Sequence, residues 1–275
     1  MKCKIKNISI NYEIIGEGKP VVMIHGYYSD YRVMAGCMEP IFSASEGYKR
    51  IYINLPGMGK SDCAEWINSS DSMLDIVIEF IEKIIPNENF IIAGNSYGAF
   101  ISRGVIYKMV DRIEGVLLIC PLIVPDYKKR NLPEHVVLVK DEILLSKLNP
   151  EEAEDFKSSF VVQSERVYDR YKNEVLSGVE VADSEFLQCI MKNCYGFCFN
   201  VDELNRKVDK PTLILLGRQD NCVGYKDALN ILENFPRATV SILDMAGHNL
   251  QIEQEELFNL LVKEWLSRVN VDIFV

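Results

Sequence analysis

Gly94-Asn95-Ser96-Tyr97-Gly98 sets one serine between two glycines, directly after the apolar run Phe90-Ile91-Ile92-Ala93 and directly before Ala99-Phe100-Ile101. A serine on so tight a strand-to-helix turn is pushed into a strained backbone conformation, and glycines two residues to either side leave the room the turn needs. The chemistry this offers is nucleophilic attack on a carbonyl by Ser96. A solvated serine in a glycine-rich turn is the plainer alternative, and the flanking strand and helix argue against it.

A serine hydroxyl is a poor nucleophile at neutral pH and needs a positioned base to take its proton. Histidine suits this role, and the chain has three: His25, His135 and His248. His25 closes an apolar run before Gly26, His135 lies in a polar region near Pro133, and His248 sits in Ala246-Gly247-His248-Asn249 after the last apolar strand. Elimination favours His248. An acid must then orient the imidazole. Leu213-Ile214-Leu215-Leu216-Gly217-Arg218-Gln219-Asp220 reads as a strand, a glycine turn and an aspartate, which puts Asp220 at the carboxyl edge of a sheet, where α/β sites form. Asp244 is the alternative, but it is so near His248 in sequence that it would have to fold back within one loop. A tetrahedral intermediate also needs oxyanion donors, commonly two backbone N–H groups. The Tyr97 amide is one by position, and the Tyr27 amide, in the loop after Val21 to Gly26, is the expected second.

These residues need a scaffold that brings distant turns to one edge. Short β-branched runs alternate with glycine-bearing turns and longer amphipathic segments, the pattern of a mostly parallel α/β sheet. Strands are expected at residues 3–8, 10–15, 21–25, 50–55, 90–94, 115–120, 211–216 and 238–243, the first two joined too briefly for a helical crossover and so forming an antiparallel edge hairpin. Helices are expected at 72–84, with Asp71 or Ser72 as N-cap, and at 97–108, 225–234 and 253–269. Met73, Leu74, Val77, Phe80, Ile81 and Ile84 recur at three and four, so one face of the helix expected at 72–84 can lie on the sheet. The rhythm stops between about 124 and 209, where polar helical stretches take over. Residues 1–123 and 210–275 are therefore expected to form the core and 124–209 an inserted helical cap, with helices near 164–176 and 183–194. Asn149-Pro150-Glu151-Glu152 carries the cap residue, first-turn proline and acids of a helix start.

Taken together, His25-Gly26, Pro56-Gly57-Met58-Gly59-Lys60-Ser61-Asp62, the Gly94 to Gly98 turn, Gly217 to Asp220 and Gly247-His248 resemble the α/β-hydrolase superfamily. The resemblance implies an eight-stranded sheet with helices on both faces, a cap inserted after the sixth strand, and triad roles for Ser96, Asp220 and His248. Haloalkane dehalogenases and epoxide hydrolases of that superfamily use an aspartate where Ser96 stands, so their reactions are excluded.

Forty acidic against 30 basic residues give a net charge of −10, which disfavours nucleic acid and anionic membranes as partners. No apolar stretch approaches the roughly 18 to 20 residues of a membrane span, and Met1 to Lys6 lacks the apolar run of a signal peptide, so a cytoplasmic location is expected. Eight cysteines then read as reduced thiols. Cys189, Cys194 and Cys198 lack paired zinc-ligand spacing and are expected on the packed side of a helix. Gly59-Lys60-Ser61 imitates the end of a phosphate-binding loop, but Asn54 stands where that motif needs glycine. The acids Glu151, Glu152, Glu154 and Asp155 read as a solvated helix start.

The expected activity is hydrolysis of an ester, thioester or activated amide of a small molecule, with no metal or organic cofactor and no implied oligomeric state. Tyr28, Phe156 and Phe160 are expected to line the substrate pocket, with Tyr27, Tyr97, Tyr195, Phe197 and Phe199 as further candidates, although aromatics at helical spacing are commonly core. Three other readings stay open. One is carbon–carbon cleavage of a dienoic diketone, which resembles the meta-cleavage-product hydrolases. Another is an aminopeptidase with a carboxylate for the substrate amine. The third is a ligand receptor that retains the triad without using it.

Overall fold

The computed structural model describes residues 1–43 and 46–271. Strands β1 (Lys2–Ile5) and β2 (Ile8–Ile15) form the antiparallel hairpin, which turns at residues 6 and 7, earlier than the sequence suggests. β3 (Lys19–Ile24) leads through α1 (Tyr31–Phe42) to β4 (Tyr48–Ile53), and α2 (Ser70–Ile84) leads to β5 (Phe90–Asn95). α3 (Tyr97–Met109) follows the serine turn and precedes β6 (Ile113–Ile119). After a long insertion come β9 (Thr212–Gly217) and β10 (Ala238–Leu243), and the eight strands lie in the order β1-β2-β4-β3-β5-β6-β9-β10. From β4 to β10 every pairing is parallel. All six residues of β5 and of β9 are buried, which is why these strands read as continuous apolar runs and not as alternating ones.

Helices cover the sheet as two pairs in contact, α2 with α3 and α1 with the C-terminal helix that follows β10. α2 begins earlier than expected because Ser69, and not Asp71 or Ser72, is its N-cap: Ser69 Oγ accepts from the Ser72 amide at 3.2 Å, and Ser72 Oγ reciprocates toward the Ser69 amide. The expected helix at 225–234 is a 3₁₀ stretch over Asp227–Asn234.

The insertion between β6 and β9 holds β7 (Val139–Lys140), α4 (Glu142–Lys147), α5 (Pro150–Ser159) and β8 (Val162–Gln163), the two short strands pairing in parallel apart from the main sheet. α6 (Glu165–Arg170) runs through a π-helical stretch (Tyr171–Leu176) into α7 (Ser177–Val179), and α8 (Ser184–Asn193) follows. Asn149 caps α5 as its sequence indicates, accepting from the Glu152 amide at 2.9 Å. Phe156 and Phe160 are fully buried here, with ring centroids 5.0 Å apart, among Val167, Tyr168 and Tyr171. Ile252 of α9 (Leu250–Glu253) joins this cluster, so it fastens the insertion to the core, and α10 (Glu255–Val271) completes the chain as described. The expectation that these phenylalanines line a pocket is corrected: their rings are core. The expectation that Cys189, Cys194 and Cys198 sit on the packed side of a helix is also corrected, in the opposite sense: all three are exposed.

Candidate active site

Ser96 takes φ 54° and ψ −117°, a strained conformation for a residue with a side chain. Its surroundings hold it there: its amide donates to Ile119 O at 2.9 Å, and its carbonyl accepts from Leu122 N at 3.1 Å. The flanking glycines are required by close approach. A Cβ on Gly94 would lie 2.6 Å from the Gly98 carbonyl, and one on Gly98 would lie 2.2 Å from Ile24 O. The turn can form only with backbone pressed on backbone.

His248, in the loop after β10, places Nε2 2.9 Å from Ser96 Oγ and Nδ1 2.9 Å from Asp220 Oδ2. Asp220 is 1% exposed, and its other oxygen accepts from the amides of Cys222 (2.9 Å) and Val223 (3.0 Å). Burial on its own would raise the Asp220 pKa, yet His248 and these two amides hold it below the ordinary carboxylate value. For His248, burial opposes the charged ring, but the neighbours Cys222 and Asp220 carry its pKa well above 6.5. Of the two, Asp220 is the one hydrogen-bonded to the ring, at Nδ1, so its carboxylate is the decisive partner. Asp244 is exposed and accepts from Gln219 Nε2 at 2.7 Å. Gln219 also accepts from the Ala246 amide through Oε1, so this side chain braces the loop that carries His248.

His25 is fully buried and serves the opposite wall. Its Nε2 accepts from the Leu55 amide at 3.0 Å, so its Nδ1–H donates to Gly26 O at 2.7 Å, and burial pushes its pKa down to about 4. The ring is therefore a neutral brace for the loop at Tyr27. Neither the Tyr27 nor the Tyr97 amide has a protein acceptor among the described residues, and Tyr97 is the first residue of α3, where helix amides point outward unpaired. His135 is exposed, with Nε2 2.9 Å from Lys157 O on the insertion, and does not approach Ser96.

Two residues were missed from the sequence. Glu253 is 4% exposed; its Oε2 accepts from Gly247 N at 2.6 Å, and its Oε1 accepts from Val161 N (2.7 Å) and Val162 N (3.1 Å). Burial raises its pKa against the opposing pull of those three amides. One carboxylate thus ties the insertion to the residue before His248. Cys120, with φ 41°, lies behind the histidine, and its thiol faces Gly247 O at 3.6 Å. Cys120, Asp220 and His248 form the only group of three potential metal ligands among the described residues, with donor atoms within 4.8 Å of one another. Two of the three are already bonded in the chain to Ser96.

Ser96 and His248 open into a cavity of about 800 Å³. Tyr27, Tyr28, Leu122, Tyr195 and Val223 form much of its apolar wall, and Arg130, Lys192 and Asp126 bring charge to it. Tyr195 stacks on Tyr97 at 5.0 Å, and Tyr27 meets both rings edge-on. Tyr28, at φ 65°, lines the cavity, whereas Phe156 and Phe160 do not reach it.

A mostly parallel eight-stranded sheet with a serine on the strained turn after β5 defines an α/β hydrolase. Residues 18–255 match the family described as "Serine aminopeptidase, S33", and the chain belongs to that family. It is similar in structure to an α/β superfamily hydrolase from Oenococcus oeni PSU-1, with a TM-score of 0.88 and 31% identity over 98% of this chain and 99% of that one. An esterase from Exiguobacterium antarcticum shares the fold, with a TM-score of 0.71 and 18% identity over 96% of each chain. In sequence, the chain is 24% identical to 2-hydroxy-6-oxononadienedioate/2-hydroxy-6-oxononatrienedioate hydrolase 2 of Pseudomonas putida, over 95% of this chain and 92% of that protein. No helix among the described residues is long and apolar enough to cross a membrane.

Proposed function

We propose that the protein is a serine hydrolase that cleaves an ester, thioester or activated amide of a small molecule through an acyl-enzyme. The observation that carries this reading is the unbroken chain from Ser96 Oγ through His248 to buried Asp220, both links at 2.9 Å, open to one cavity. Ser96 attacks the substrate carbonyl while His248 Nε2 takes its proton, and Asp220 holds the ring and favours the imidazolium that forms. The negative charge that develops on the carbonyl oxygen is met by the Tyr27 and Tyr97 amides, which spend nothing on another protein acceptor. His248 then returns the proton to the leaving atom, and water repeats the sequence to release the acid. The insertion, 124–209, acts as a cap, because Arg130, Met191, Lys192 and Tyr195 from it line the same cavity as Ser96.

A second reading, carbon–carbon hydrolysis of a dienoic diketone, draws support from the Pseudomonas putida relative, whose length the chain matches almost fully. The same serine chain would serve it. An aminopeptidase needs an anion for the substrate amine, and Asp126 is the only carboxylate among the described cavity residues, against two cations. The cavity charge therefore speaks against that reading. Hydrolysis of 4-nitrophenyl esters of graded acyl length, with Ser96→Ala as blank, tests the proposal. Turnover should vanish in the variant; equal turnover in both proteins would remove Ser96 from the chemistry.

A further inference from the structure

Arg130 stands in the cavity wall in an unusual state for a half-buried guanidinium. It donates to three carbonyls, from Nε to Val124 O at 2.8 Å, from Nη1 to Cys222 O at 2.9 Å and from Nη2 to Pro125 O at 3.0 Å. These bonds fix its position but bring no negative charge, and among the described residues no carboxylate pairs with it. A guanidinium has five N–H donors, so two remain for a ligand. The carbonyl of Cys222 belongs to the residue whose amide holds Asp220, so the cation is anchored on a residue that also steadies the acid orienting His248.

The charge around the cavity runs against that of the whole chain. The protein carries ten more acids than bases, yet Arg130 and Lys192 face the cavity with Asp126 alone opposing them. Asp126 is exposed and partly occupied, accepting from the Lys128 amide at 3.1 Å and meeting Lys129 Nζ at 3.5 Å. A cavity with surplus positive charge in an acidic protein attracts anions that the rest of the surface repels. The planar fork of an arginine suits a carboxylate in particular.

We infer that the substrates carry a carboxylate, which Arg130 binds within the cavity while Ser96 attacks a carbonyl elsewhere in the same molecule. This deepens the serine hydrolase reading and rests on it. Arg130 is thereby a specificity-determining residue, and its three carbonyl bonds keep the fork in register with the acid loop.

Two matched ester pairs test this in the full chain: mono-4-nitrophenyl adipate against 4-nitrophenyl hexanoate, with the anion on the acyl side, and 4-acetoxybenzoate against its methyl ester, with the anion on the leaving side. The quantity read is the ratio of kcat/KM for anion over neutral ester, since damage to the wall slows both partners alike while loss of recognition changes the ratio. Arg130→Met should lower the ratio roughly tenfold in one pair, the size expected for one charge-assisted contact. Arg130→Lys should retain part of it, and Asp126→Asn should raise it. A ratio left unchanged by Arg130→Met in both pairs overturns the inference. Should none of the four esters be turned over and Ser96 resist labelling by a fluorophosphonate, the hydrolase reading has failed. Calorimetric binding of adipate and of 4-hydroxybenzoate to the parent and to Arg130→Met then decides the carboxylate site by itself, equal or absent binding in both proteins refuting it.

Discussion

Asp220 meets His248 Nδ1 with one carboxylate oxygen at 2.9 Å and receives the amides of Cys222 and Val223 with the other, so the acid is fixed by the backbone before it fixes the imidazole. Asp244, the alternative acid, is instead engaged by Gln219. Asp220→Asn should therefore fold and remain slow, losing on the order of ten-thousandfold in kcat, as expected when the orienting acid of such a triad is neutralised. Asp244→Asn should be mild. Steady-state kinetics of the two variants would exchange the roles if the losses were reversed.

The same pair sets the pH dependence. Only the neutral imidazole can accept the serine proton, so kcat/KM should fall as pH drops through the pKa of His248, which lies well above 6.5 in the folded protein. The acid limb is thus expected above pH 6.5 and should move downward in Asp220→Asn, where the raising charge is gone. A limb at the same pH in both proteins would mean that Asp220 does not govern the titration.

Among the described residues Glu253 is the carboxylate that accepts from both the insertion and the histidine loop. Glu253→Ala removes the acceptor of three buried amides, and uncompensated buried donors cost about 1–3 kcal/mol each, so a loss on the order of 3 kcal/mol is expected in urea unfolding. Glu253→Gln keeps one acceptor oxygen and should lose less. Fluorophosphonate labelling of Ser96 should slow in both variants, since Gly247 is released; unchanged labelling would confine Glu253 to stability.

Phe156 and Phe160 make the corresponding statement about packing. Truncating a buried phenylalanine to alanine costs about 3–5 kcal/mol, and neither ring reaches the cavity, so each variant should lose stability and keep the parent's acyl-length profile. Tyr195→Ala, which opens the wall itself, should change that profile. Ester kinetics beside thermal unfolding separate the two, and a shifted profile in Phe156→Ala would return that ring to the pocket.

What was legible in the sequence follows from what is local. The serine turn was, because its glycines answer to clashes with nearby backbone, and so were β5 and β9, whose full burial leaves continuous apolar runs. α1 was not, because Gly36 and Pro40 interrupt it, yet it forms with Asp30 accepting from the Arg32 amide and six of its residues buried. Glu253 was invisible for a different reason: its partners lie in another part of the chain, and a glutamate at the start of a helix reads as solvated. Phe156 and Phe160 showed the helical spacing of core residues, but nothing local told which core they entered. Arg130, in a polar loop, gains its meaning only when the turn after β9 comes beside it.

The decisive separation between enzyme and receptor lies at Ser96 itself. A fluorophosphonate bonds a serine that is both activated by a base and faced by oxyanion donors, because its phosphorus passes through a geometry like that of the acyl intermediate. Ser96 should be labelled, and the modified peptide identified by mass spectrometry. His248→Ala should suppress labelling, since Nε2 at 2.9 Å is the proton acceptor, whereas His135→Ala should leave it nearly intact, since that ring binds Lys157 O on the insertion. Labelling in a folded protein that turns over no ester, thioester or dienoic diketone would favour a receptor that keeps an assembled serine chain. An unlabelled Ser96 would mean that the Tyr27 and Tyr97 amides do not converge on the attacked atom, and the proposed chemistry would fall with them.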